Sequence, residues 1–324
     1  MKQAIDEDDV SAVEELLKSD VNIVNQYVVR APYYYGNHRP LTYASQRGRT
    51  QIVKLLLEAG ADIHAEGNLA MARASMSDAH IPIMEMFLAR GMDVNCVVYD
   101  WGPLITYPAE TQAAEMLKWL LKHGANPNLT VSSSRCGQNG WQALIEGYDR
   151  SPRFHECVNA MIAGGAKYED GPCMDLYRGR FREFSARLQR DPAIARNSYD
   201  IVGANLPLRG TLLHLCAEWN FREAARSLVA RGADVNARAA IDSEGFGGYT
   251  PIFHTVNSIK LWGYPMLEWL LAEGADLSVR ASVRVWGDKV LRGVTPLGYA
   301  IQARRNEAEC ERVVELLKKY GARE

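Results

Sequence analysis

Few places in this 324-residue sequence put together side chains that could do chemistry. Asp6-Glu-Asp-Asp9 sets acids in a row, the hard oxygen ligands that a calcium-like cation takes. The same acids fit a solvated turn before a helix, where negative charge meets the positive end of the helix dipole, and we prefer that reading. Glu244-Gly-Phe-Gly-Gly248 has the glycines of a phosphate cradle, but the Lys-Ser/Thr pair that grips terminal phosphates does not follow. The seven histidines contain no H-x-x-x-H pair. Cys96, Cys136, Cys157, Cys173, Cys216 and Cys310 are scattered without a C-x-x-C, which argues against structural zinc or a disulfide framework and suits a reducing compartment. No Ser, His and Asp set converges by spacing. The expectation is a protein with no catalytic residue, no metal and no cofactor.

What recurs is a pattern of elements. Arg39-Pro-Leu-Thr-Tyr-Ala44 opens a short helix, Gly48 turns the chain, and Ile52-Val-Lys-Leu-Leu-Leu-Glu-Ala-Gly-Ala-Asp62 makes a second helix and its exit. Proline at the start of a helix is harmless, because its missing N–H would be unpaired there. Gly60 accepts the left-handed conformation that ends the second helix. Ile52, Leu55 and Leu56 recur at helical spacing and make an apolar face. One helix pair cannot bury that face alone; stacked neighbours can. The best copies are 39–65, 101–128, 211–237, 250–276 and 295–322, with exits at Gly60-Ala-Asp, Gly124-Ala-Asn, Gly232-Ala-Asp, Gly274-Ala-Asp and Gly321-Ala. Weaker copies, 68–95 and 140–168, lack a Thr-Pro-Leu-His opening.

This unit resembles the ankyrin repeat, whose period is about 33 residues. The resemblance implies an all-α ankyrin-repeat solenoid of helix–turn–helix units with β-hairpin or loop fingers, about nine units here. It also implies a protein-binding role, with His214 and His254 bracing neighbouring turns. Two stretches look like array starts, Ala4 to Leu17 and Met174 to Leu188, each followed by a long loop, 26–38 and 197–210. We therefore expect two sub-arrays, 1–168 and 172–324, meeting near Glu169-Asp-Gly-Pro172.

Departures from the repeat map to one face, often the binding face. The fingers are long and aromatic-rich, and large rigid side chains with arginine dominate interface energetics. The candidate partner-binding residues are Tyr33, Tyr34, Tyr35 and His38 on the first finger, Tyr99 and Trp101 on the next, then Arg135 and Trp141, Phe246 and Tyr249, and Arg284, Trp286 and Lys289 on the last. Alternation around Gly287-Asp288 predicts a two-residue hairpin turn. That register sets Trp286 opposite Lys289 and Arg284 opposite Leu291, with Arg284, Trp286, Lys289 and Leu291 on one face. The last finger, 280–293, carries Arg280, Arg284, Lys289 and Arg292 against Asp288, so a partner with an acidic patch would suit it.

The net charge of −2 gives no sign of nucleic-acid affinity. No apolar run approaches the roughly 18 residues of a membrane helix, and the N-terminus lacks a secretory apolar stretch. The expected setting is a cytoplasmic monomer that binds a folded protein as scaffold, adaptor, inhibitor or immunity-type protein. Two alternatives stand beside it: a small-ligand receptor or enzyme with its site at the array junction, between Tyr168 and Tyr199, and a self-assembling structural protein.

Overall fold

The computed structural model describes residues 1–30, 36–99, 101–131, 139–147, 149–201, 208–258, 261–285, 289–303 and 307–324. It falls into two compact units, 1–147 with 156–168, and 148–155 with 169–324. Among the described residues no helix is long and apolar enough to cross a membrane.

Unit 1 is a run of helix pairs: α1 (Lys2–Asp6) with α2 (Val10–Ser19), α3 (Pro40–Gln46) with α4 (Thr50–Glu58), α5 (Ala65–Ser75) with α6 (Ile81–Leu88), and α7 (Thr106–Glu110) with α8 (Ala114–Lys122). The last pair is α9 (Gly140–Glu146) with α10 (Phe154–Ala163). Between α6 and α7 lies a small antiparallel hairpin, β1 (Val97–Val98) with β2 (Gly102–Pro103). The periodic apolar positions point inward as their spacing demands: Ile52 and Leu56 of α4, Ile83 and Phe87 of α6, and Leu117 and Leu120 of α8 are fully buried. Each such side chain contributes about 1.5–3 kcal/mol on leaving water. The acidic run resolves into local structure. Asp9 caps α2 by accepting from the Ala12 N–H at 2.9 Å, and Asp6 accepts from the Tyr43 hydroxyl at 2.6 Å and pairs with Lys2.

Unit 2 repeats the plan with α11 (Pro172–Tyr177) and α12 (Phe181–Arg190), then the hairpin β3 (Ser198–Ile201) with β4 (Leu208–Thr211), then α13 (Leu212–Trp219) and α14 (Arg222–Val229). A single 3-10 turn, Pro251–His254, stands where the next first helix is expected, followed by α15 (Tyr264–Ala272). The hairpin β5 (Ala281–Arg284) with β6 (Val290–Val294) leads into α16 (Pro296–Gln302) and α17 (Glu307–Lys319). Thr295 starts α16 by accepting from the Gly298 N–H at 3.1 Å.

Successive repeats are tied by asparagines in their exit loops. The Asn95 amide donates to the Gly124 carbonyl at 3.0 Å, while its oxygen accepts from the Asn126 N–H at 2.8 Å. Asn128 does the same to Gly165 and Lys167, both at 2.8 Å, and Asn236 to Gly274 and Asp276 at 3.1 and 2.7 Å. Asn25 makes a longer rung to Gly60 and Asp62, at 3.4 and 3.3 Å. One planar amide thereby satisfies a donor and an acceptor of the next turn, groups that would otherwise need other partners.

At the step after Asp62 the asparagine position holds His64, whose ring bonds Asn68 at 2.9 Å. The weak opening of this repeat shows in the backbone: Glu66, Gly67 and Asn68 are all left-handed, with φ of 54°, 58° and 68°. Left-handed non-glycine residues are uncommon and need support from their surroundings. Here Glu66 is held to α3 and Asn68 donates to the Val97 carbonyl at 2.8 Å. A Cβ at Gly67 would come within 3.0 Å of the Tyr99 ring, so glycine is required there both by backbone conformation and by space.

Candidate interaction surface

The first finger closes through a bridge between Val29 and His38. His38 itself is buried, with its ring centroid 6.2 Å from that of Tyr43. This corrects its placement on an open binding surface: the bridge turns the imidazole toward α3. Tyr33, Tyr34, Tyr35, Arg135 and Trp286 lie outside the described residues. Tyr99 and Trp101 are half-buried with ring centroids 5.7 Å apart, and the Tyr99 N–H donates to the Gly67 carbonyl at 3.0 Å. Trp141 is half-buried and is not a finger residue. It lies in α9, whose start is fixed by a capping box between Asn139 and Gln142.

In unit 2 the fingers are laced side by side. The Ala240 N–H donates to the Arg209 carbonyl at 2.8 Å, and the Gly247 N–H to the Ser282 carbonyl at 2.8 Å. Phe246, expected at the partner surface, is instead buried between two guanidinium groups. Arg284 lies 3.8 Å and Arg292 4.3 Å from its ring centroid, a cation–π sandwich. Arg284 also donates to Asp242 at 2.6 Å and Glu244 at 2.9 Å. The Phe246 N–H, with Arg284, holds the Asp242 carboxyl below its ordinary range. Tyr249 is buried too, and burial pushes its phenol up. Its placement on the binding face is corrected because its carbonyl serves the repeat next to it.

That partner is His214. Its Nδ1 accepts from the Thr211 N–H at 3.1 Å, so Nε2 carries the proton and donates to the Tyr249 carbonyl at 3.2 Å. Burial, then the nearby His254, brings its pKa down to about 3, which leaves it neutral at physiological pH. His254 differs. Its Nδ1 lies 2.7 Å from Glu218, which also pairs with Arg150. Arg150 stacks over Trp219 at 4.1 Å, and Trp219 stacks on Phe154 at 3.6 Å. Burial drives the Glu218 carboxyl up, but Arg150 and His254 outweigh it and hold it well below its ordinary range.

The last hairpin has a different register from the one expected. Val283 pairs with Leu291 and Arg284 with Val290, and the Val285 N–H donates to the Lys289 carbonyl at 2.7 Å. The pairing is therefore shifted by one residue from the expected one, which sets Arg284 opposite Leu291. A one-residue slip exchanges the two faces, so Leu291 faces inward with Val283, while Val290 stands out with Arg284. Lys289 is exposed, and its ammonium donates to the Gln302 carbonyl at 2.6 Å. The apolar residues that do stand out on fingers are ones that sequence reasoning missed: Ile241 at 62% exposure, Val290 at 47% and Tyr27 at 37%. Ile241, within the glycine-rich finger, was the one with a usable signal.

Family models for ankyrin repeats match residues 1–98, in three copies, and residues 210–240. With the helix pairs and exit turns above, they establish the chain as an ankyrin-repeat protein, a class of protein–protein interaction module. No curated protein sequence matches it. Among solved structures, an ankyrin repeat domain from Acinetobacter baumannii AYE is similar at 18% identity, covering 72% of this chain and 97% of that one, with a TM-score of 0.41.

Proposed function

We propose that this protein binds a folded partner protein through its fingers and the groove of its first helices. It does so without chemistry of its own, as a scaffold, an adaptor or an immunity-type inhibitor. One observation carries the reading. Six large apolar side chains are exposed among the described residues, and three of them, Tyr27, Ile241 and Val290, stand on fingers. Apolar groups rimmed by charge are what an interface core needs. The lacing of the unit 2 fingers supports it further, because a pre-organised surface loses less entropy on binding. The arrays are 1–168 and 172–324, the chain is a cytoplasmic monomer, and the basic last finger favours an acidic patch on the partner.

The test is a pull-down from the native cell with two baits, the wild-type chain and Tyr27→Ser/Ile241→Ser/Val290→Ser. A partner kept by the first and lost by the second, with equal melting temperatures, supports the finger surface. Equal capture by both baits removes the fingers from the proposal. Turnover of a small molecule by the pure chain would remove the non-enzymatic part.

A further inference from the structure

Between Lys167 and Lys260 the chain has no lysine, yet residues 178–238 hold eleven arginines. Unit 1 carries 13 Lys and Arg against 18 Asp and Glu, while unit 2 carries 24 against 21. The arginines sit in a repeated pattern. Phe181-Arg182-Glu183 opens α12, and Phe221-Arg222-Glu223 spans the start of α14. The two phenylalanine rings meet edge-on at 5.9 Å, and His155 contacts both, at 5.6 Å from Phe181 and 5.1 Å from Phe221. That lock fixes the register between the helices. Arg182 and Arg222 thus hold the same position in adjacent repeats, with Arg226 one turn further along α14. Phe184 and Leu188, and Ala224, Ala225 and Leu228, bury the opposite faces. All three arginines are exposed.

Several cations on the other outer helices are paired with acids. In unit 1, Lys18 pairs with Glu14, Lys54 with Glu58, and Lys118 with Glu115 and Glu156. In α12 itself Arg187 pairs with Asp175 and Asp170. Among the described residues Arg182, Arg222 and Arg226 have no ion-pair partner.

We propose that this arginine face of α12 and α14 is a second docking surface, separate from the fingers, and that it takes an acidic segment of a partner protein. Guanidinium groups grip carboxylates in a planar, two-pronged fashion and desolvate more cheaply than ammonium groups. The face is patterned rather than uniformly basic, because Glu183 and Glu223 interrupt it. A protein can match such a pattern. A phosphate backbone, with charge at regular close spacing, meets repulsion at each glutamate and gains little from a chain of net charge −2.

The experiment measures fluorescence anisotropy of a labelled peptide, in which glutamates are spaced by lysine and glycine so that carboxylates can meet the arginines and ammonium groups the glutamates, titrated with the full chain at low and physiological salt. Its comparison probes are a single-stranded oligonucleotide of equal charge and vesicles containing phosphatidylserine. The peptide is expected to bind wild type, and Arg182→Glu/Arg222→Glu/Arg226→Glu to weaken it at least about tenfold. The matching triple change to lysine keeps the charge and the fold, and is expected to weaken binding about two- to fivefold through loss of two-pronged contacts. Arg90→Glu, on unit 1, leaves binding unchanged. Three results overturn the proposal: no peptide binding at low salt, peptide binding indifferent to the charge reversal in a folded variant, or tighter binding of the oligonucleotide or vesicles than of the peptide.

Discussion

Among the described residues each unit buries one glutamate, and the two are treated in opposite ways. In unit 1, Glu66 accepts from the Thr42 hydroxyl at 2.5 Å and the Arg39 N–H at 3.2 Å. Burial pushes its carboxyl up, and those donors, with the more distant Arg39 charge, only partly offset the rise. In unit 2, Glu218 is as little exposed as Glu66 but faces Arg150 and His254, and its carboxyl is held down. The depth of burial does not set the direction; the charge of the partners does. Arg150 is the informative residue, because it comes from the short segment 148–155 that packs into unit 2. A guanidinium from the connection between α9 and α10 keeps the Glu218 charge compensated.

The sharpest way to break this contrast is Arg150→Ala. It leaves Glu218 buried with its main cation gone and strips a stacked group from Trp219. Losing one partner of a buried pair costs about 3–5 kcal/mol, read as a lower urea midpoint. A loss below about 1 kcal/mol would mean the pair is solvated. Next in size is Asn128→Ala, which removes a donor and an acceptor from the Gly165 turn. The expected cost is about 1–3 kcal/mol, with faster amide exchange at Lys167.

The pH dependence separates the two carboxylates by sign. Glu218 has a lowered folded pKa, so its stabilisation is full above the unfolded value of about 4.3 and fades as pH falls through the folded value. The stability gap between wild type and Glu218→Gln should therefore shrink on acidification. Glu66 has a raised folded pKa, so its contribution is best below the unfolded value and is lost as pH rises through the folded one. Relative to Glu66→Gln, wild type should weaken on going from mild acid to neutrality. The smallest expected effect is that of Glu66→Gln at low pH, under about 1 kcal/mol, because an amide oxygen still accepts from Thr42. Parallel pH profiles for the two glutamine variants would refute the contrast.

The repeat exits were legible because glycine, alanine and aspartate there answer to backbone geometry, which sequence reports directly. The helix pairs followed from them. The site was much less legible. Phe246 looks like a surface aromatic until Arg284 and Arg292, far along the chain, close over it. The hairpin faces differ from those expected because pairing Arg284 with Val290 and pairing it with Leu291 read alike in an alternating strand, yet they exchange inside and outside. Trp141 was placed on a finger because the helix start depends on Asn139 and Gln142 acting together. The 3-10 turn at Pro251–His254 carries a good Thr-Pro opening and still fails to make a full helix.

The asparagine rungs bear on how the molecule would respond to load. A rung couples two repeats through a pair of hydrogen bonds pulled together, so tension is shared and rupture is abrupt. At His64 that coupling is missing, and Glu66, gripping Thr42 and Arg39, is what bridges α3 to the following repeat. Stretched in an optical trap, unit 1 should part first at this step, and at a force that varies with pH, whereas the joints at Asn95 and Asn128 should yield later and independently of proton concentration.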